Sequence, residues 1–137
     1  MSFSDYLEDK LLDHVFGGNA YTAPTTLYVG LFTSTPTDST AGTEVSGGSY
    51  ARQSVSFTVS GTNPTEAASD AAVEFPTATA TWGTVTYAGI FDAASSGNMI
   101  AYSQLTDPAD LSTPLPKTIS TGDVFRISSG NLKVRLD

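Results

Sequence analysis

Hydrophobic and polar positions follow two different periods along this chain. From Phe3 to Phe16 the period is near four. Phe3, Leu7, Leu11 and Val15 form one apolar stripe with Leu12 and Phe16 beside it, while Asp5, Glu8, Asp9 and Asp13 lie off it. That spacing predicts an amphipathic helix of about four turns. Ser2 followed by Asp5 fits a capping box, and Gly17-Gly18 supplies the stop. Such a helix is marginal alone, so its stripe must dock on this domain or on a partner.

After residue 18 the period drops to two and turn residues punctuate the chain. The run 25–33, TTLYVGLFT, is apolar on both faces and predicts a central strand or one covered by the helix. In 50–59, YARQSVSFTV, the alternation points Ala51, Val55, Phe57 and Val59 inward and Tyr50, Arg52, Ser54, Ser56 and Thr58 outward, with Gln53 the exception. Further strands are read at AAVEFP, at 85–91 and 99–105 around the loop 92–98, and at DVFRIS and LKVRLD around Ser129-Gly130-Asn131. The predicted core is Val55, Phe57, Val73, Phe75, Phe91, Phe125, Ile127, Leu132, Val134 and Leu136. The fold class that follows is all-β: an antiparallel sandwich or barrel of about seven or eight strands with one N-terminal amphipathic helix. The helix occupies 1–18 and the β domain 19–137, a single domain overall.

Composition narrows the function. A chain of 137 residues can build a core without disulfides, and it has no cysteine for a thiolate nucleophile or zinc site. A net charge of −8 with six cations read as spread over the chain argues against nucleic acid and anionic membranes as partners. No apolar run reaches the length of a membrane span. The acidic start is the opposite of a signal peptide, so synthesis in a cytoplasm is expected.

Candidate chemistry is sparse. His14 is the sole histidine and falls in the last helical turn, where a partial positive charge is favoured. There is no G-x-S-x-G elbow, and the Gly-rich SGGS run at 46–49 lacks the Lys-Ser/Thr ending of a phosphate loop. SGGS is expected to be a mobile surface loop leading into the strand at Tyr50. Asp107/Asp110 and Glu66/Asp70 are acid pairs, the first a conceivable calcium site but more simply solvated loop acids. Trp82 suits a core or rim anchor better than a sugar platform. Arg52 can pair with Glu74 across strands or with a partner's carboxylate. Neither cofactor nor metal is implied.

Taken in order, DYLEDKLLDHVFG, LYVGLFTSTPTD, GTEVSGGSYARQSVSF, VEFPTATATWGTVTYAGIFDAASSGNM and GDVFRISSGNLKVRLD resemble small virion proteins of tailed bacteriophages, commonly labelled "phage tail fibre protein". The resemblance implies a non-enzymatic structural protein of the virion, made in the host bacterial cytoplasm, with no catalytic residues. The chain shows neither shaft repeats nor a coiled coil. The expected position is therefore a capsid decoration (cement) protein. The alternative is a tail fibre or tail accessory protein aiding host attachment, with Tyr50, Trp82 and Tyr102 against host glycans. A depolymerase ranks third. Expected partners are the major capsid protein or tail components and further copies of the chain, with a trimer favoured. The candidate contact residues are Phe3, Leu7, Leu11, Val15, Tyr50, Arg52 and Trp82.

Overall fold

The run with apolar side chains on both faces lies at the centre of the computed structural model, which describes residues 1–136. It forms β2 (Leu27–Phe32), flanked by β3 (Gln53–Val55) and β8 (Tyr87–Phe91). Next to β8 lies β9 (Met99–Gln104), and at that edge the two-residue β1 (Ser2–Phe3) completes an antiparallel five-stranded sheet. A second antiparallel sheet takes the order β12 (Lys133–Leu136), β5 (Thr65–Ser69), β4 (Phe57–Ser60). Two short ribbons complete the fold: β6 (Val73–Glu74) with β11 (Arg126–Ile127), and β7 (Gly83–Val85) with β10 (Lys117–Ile119). The architecture is sandwich-like, without a closed barrel. Asp137, the last residue of the predicted LKVRLD strand, lies outside the described residues.

There are more strands than alternation predicts: β5 and β10 fall in runs where it predicts none, β1 falls in the predicted helix, and two predicted runs divide between sheets. The run 50–59 breaks at Ser56: β3 pairs with β2, while β4 pairs with β5. Thr86 separates β7 from β8 in the same way, its N–H on the Phe32 carbonyl and its own carbonyl on the Leu105 N–H. A chain that changes sheets at a corner keeps its period but changes partners.

Val29, Leu31, Val73, Phe75, Trp82, Val85, Ile90, Ile119, Phe125 and Leu132 are buried in the main core, and Val55, Phe57, Ile127 and Val134 pack at its margin. Val59 and Leu136 do not join it, at 67% and 55% exposure. Both lie on the predicted face, opposite Ala67 and Thr65, but toward the end of the second sheet away from buried Ser69 and Leu132. Period two assigns a face; it does not say how far the covering layer extends.

The other face of the main sheet carries a smaller cluster of Phe32, Phe91 and Met99. Here Gly30 and Gly89 stand opposite each other. A Cβ at Gly89 would lie 2.6 Å from the Phe32 ring, and one at Gly30 would lie 2.9 Å from Phe91. The missing side chains make the trough in which both rings lie.

The helix differs from expectation at its start. Ser2 and Phe3 belong to β1, so Ser2 is not the cap. Ser4 is the N-cap of α1 (Asp5–Leu12), its Oγ accepting from the Leu7 N–H at 3.3 Å and donating to the Met99 carbonyl. A wider π-helical turn, Asp13–Gly17, follows and ends at Gly18. No residue of α1 or of this turn is buried. Replacing buried Ser4 by Ala is expected to cost about 1–2 kcal/mol in urea unfolding. Ser2→Ala should stay within about 0.5 kcal/mol; equal effects would return the cap to Ser2.

Candidate functional site

The segment GTEVSGGSYARQ folds back on the main sheet, with Glu44 bridged to Phe32 and the Val45 N–H on the Leu31 carbonyl. This brings Glu44 to Arg52. Nε and Nη2 of Arg52 donate to the two carboxylate oxygens of Glu44, each at 2.8 Å. Nη1 donates to the carbonyls of Ala93 and Ser96 at 2.9 and 2.8 Å, and the guanidinium lies 3.5 Å from the Phe91 ring centroid. The Arg52 side chain is only 7% exposed. The expected outward Arg52 paired with Glu74 is therefore corrected: it faces the smaller apolar cluster and its partner is Glu44. A planar fork stacked on an aromatic face and bonded at both edges is the geometry in which arginine tolerates burial.

Tyr50 also points in. Its hydroxyl donates to Glu44 Oε1 at 2.8 Å and accepts from the Leu31 N–H at 2.9 Å. Its ring stacks on Phe75 and meets Trp82 edge-on. Burial first, and the Glu44 carboxylate with it, push the phenol far above the usual tyrosine value, while the Leu31 N–H opposes them.

SGGS, expected as a mobile surface loop, forms a hydrogen-bonded turn. Gly47, Gly48 and Ser49 have φ of 74°, 58° and 65°, a left-handed turn closed by the Tyr50 N–H on the Gly47 carbonyl. The Gly48 carbonyl accepts from Trp82 Nε1 at 2.9 Å and from the Thr79 N–H at 3.0 Å. Ser49 and Thr79 hydroxyls meet at 2.9 Å. Trp82 is thus a buried anchor, 5% exposed, with its one polar atom satisfied by the turn.

The acids serve local structure. Asp107 accepts from the Ala109 N–H, and the Ser112 and Thr113 hydroxyls bond Asp110 and hold its carboxyl below the usual range. Glu66 bridges Lys133 and Arg135, Arg135 first among the groups that lower its carboxyl. His14 Nδ1 accepts from the Tyr21 N–H at 3.2 Å, and Tyr102 donates to Asp38. Among the described residues no three His, Cys, Asp or Glu group to hold a metal.

Two of the open surfaces among the described residues combine apolar side chains with charge; a separate cleft, of about 660 Å³ between residues 24–27, 54–57 and 71–73, has no charged side chain in its lining. Leu7 is half-buried, but Leu11, Leu12, Val15 and Phe16 are 40%, 58%, 60% and 82% exposed. Away from them is a cleft of about 680 Å³ beside β10, β11 and β12, with Leu105, Leu115, Ile119 and Ile127 in its wall. Lys117, Arg126, Lys133 and Arg135 line it, and among the described residues no Asp or Glu does. The cations are not spread as expected: four of the six fall in the last 21 residues. That crowding was the available signal for the cleft. For the Arg52 partner it was Glu44, the sole acid between Asp38 and Glu66.

Two measurements test the clamp. Gly47→Ala, with no atom within 4 Å of the added Cβ, should cost about 1 kcal/mol from its left-handed backbone. Gly48→Ala, whose Cβ would lie 2.8 Å from Trp82 Nε1, should cost about 1–3 kcal/mol more; equal small losses would mean a slack loop. The second test is alkaline. A phenol raised in the fold leaves stability intact below the unfolded value near 10.0 and removes it as pH climbs toward the folded value. Wild-type stability should fall by about 1.4 kcal/mol per pH unit above that point through Tyr50 alone. Tyr50→Phe, weaker at pH 7, should lose correspondingly less between pH 9 and 11 in denaturant titrations.

A comparison with curated proteins finds no match. A family model described as "Podophage GP4 fiber I protein gp80" matches residues 2–135. The match takes in all the strands except the last residue of β12 and the quoted motifs except their final two residues, and its description names a fibre protein rather than an enzyme. The chain belongs to this family of podophage fibre proteins.

Proposed function

We propose that the chain is a structural subunit of the tail fibre, carried on the virion and acting through protein–protein contact. The family match over residues 2–135 carries this reading. It supports the fibre alternative over the expected capsid cement role, for which the family description offers nothing. The geometry agrees with a scaffold. Tyr50, Arg52 and Trp82, candidates for contact or glycan binding, have their polar atoms engaged within the fold. Of the seven candidates, those left open to a partner are Leu11 and Val15, with Leu12 and Phe16 beside them. Tail components and further copies of the chain are the partners that such a face serves. No helix among the described residues is long and apolar enough to cross a membrane.

Gold-labelled antibody on purified virions, with protein quantification, tests the assignment. The expected result is label at the tail in low copy number, and loss of adsorption with intact heads when the gene product is missing. Label distributed over the head, with hundreds of copies and heads that burst on heating without it, would restore the cement role.

A further inference from the structure

The helix face and the cation-lined cleft complement each other in both respects that govern association. The helix presents Leu11, Leu12, Val15 and Phe16 amid Asp5, Glu8, Asp9 and Asp13, with Lys10 the sole cation between them. The cleft presents an aliphatic wall rimmed by Lys117, Arg126, Lys133 and Arg135. Among the described residues Glu66 bridges Lys133 and Arg135, and Glu74 stands opposite Arg126 across the β6–β11 ribbon without an ion pair to it, in a chain of net charge −8. Lys117 and Arg126 form no ion pair among the described residues.

The helix does not fill the cleft of its own chain. Met1, ahead of β1, lines it, but no residue of 2–18 does. The helix starts where the Ser4 N–H meets the Ile100 carbonyl and the Asp5 N–H meets the Asp38 carbonyl. Ser103, Gln104 and Leu105 border the cleft at the other end of β9, about 13 Å along the strand from Ile100 at the usual rise. The helix thus starts toward the end of β9 away from the cleft, and Leu11, Leu12, Val15 and Phe16 are not among the residues that line it.

We propose that the helix of one copy docks in the cleft of the next, joining copies head to tail. Phe16 and its aliphatic neighbours fill the groove, and the helical acids meet the rim cations. A contact between two different patches is heterologous; it closes into a ring or trimer, or continues as a filament, according to the rotation between copies. Apolar filling supplies affinity while the opposed charges set orientation and association rate. The inference rests on the fibre reading for its setting in the virion, but not for its geometry.

Sedimentation velocity of the full chain is the test, with two double variants at exposed positions. Val15→Ser/Phe16→Ser removes the knob, and Lys117→Glu/Arg126→Glu removes the socket charge. Wild type should self-associate, about tenfold more weakly in 0.5 M than in 0.05 M salt. Each variant alone should be monomeric, and their mixture should give a 1:1 dimer and nothing larger, because each retains one half of the contact. Should either double variant melt early, Phe16→Ala and Arg126→Gln carry the same comparison. Three results would overturn the proposal: wild type monomeric to about 1 mM, a socket variant that associates as wild type does, or heparin binding in the cleft of a strictly monomeric wild type. None of these bears on where gold label falls on the virion, so either reading can fail alone.

Discussion

The part-buried fork between Arg52 and Glu44 ties the 44–52 segment to the 92–98 loop and to Phe91 of the main sheet. Its two ends are eight residues apart, yet the guanidinium also binds carbonyls of that loop and lies on that ring. Taking the Arg52 guanidinium out of water is costly, and attraction to the partly exposed Glu44 alone does not reliably offset that. Here the guanidinium donates on several edges, and Glu44 takes a further bond from Tyr50. A part-buried ion pair is modest evidence of stability, but any shift in register breaks all of these bonds at once. Its contribution is to the uniqueness of the packing.

Tyr50 extends the constraint through the sheet. Its hydroxyl bonds Glu44 and the Leu31 N–H, while its ring packs on Phe75 and Trp82 in the main core. Trp82 in turn holds the Gly48 carbonyl. One short segment therefore locks the main core, the smaller cluster on the opposite face and the turn between them. The side chains that most resemble a recognition motif in the sequence are the joinery of the fold.

Alternation and turn residues were enough to read the all-β class, the helix and five buried core positions, Val73, Phe75, Phe91, Phe125 and Leu132, but not the central Val29, Leu31, Phe32, Val85 and Ile90. They failed where a side chain's direction depends on tertiary context. Arg52 falls on an outward parity, but it lies before the first residue of β3, where sheet parity does not yet apply. Ser46–Ser49 has the composition of a slack loop, and nothing local reveals that Trp82 will clamp it. Ser2 reads as the cap in the sequence, but pairing of β1 with β9 takes it into a strand and Ser4 caps the helix instead. The cleft was hidden for another reason: its walls come from strands and loops that meet only in the fold, although the late crowding of cations was visible.

Charge segregation is the feature that fold stability does not require. Cations dispersed among fourteen acids would serve solubility better than four around one groove. Four large apolar side chains on a helix with nothing packed over them are a liability in a monomer. Each feature alone invites correction by a few surface substitutions. Together they are mutually satisfying surfaces, acidic and apolar against basic and apolar, on a chain whose family is one of fibre proteins. Fibres need repeated directional contacts between subunits, and a heterologous knob and socket supplies direction that a self-matching patch cannot.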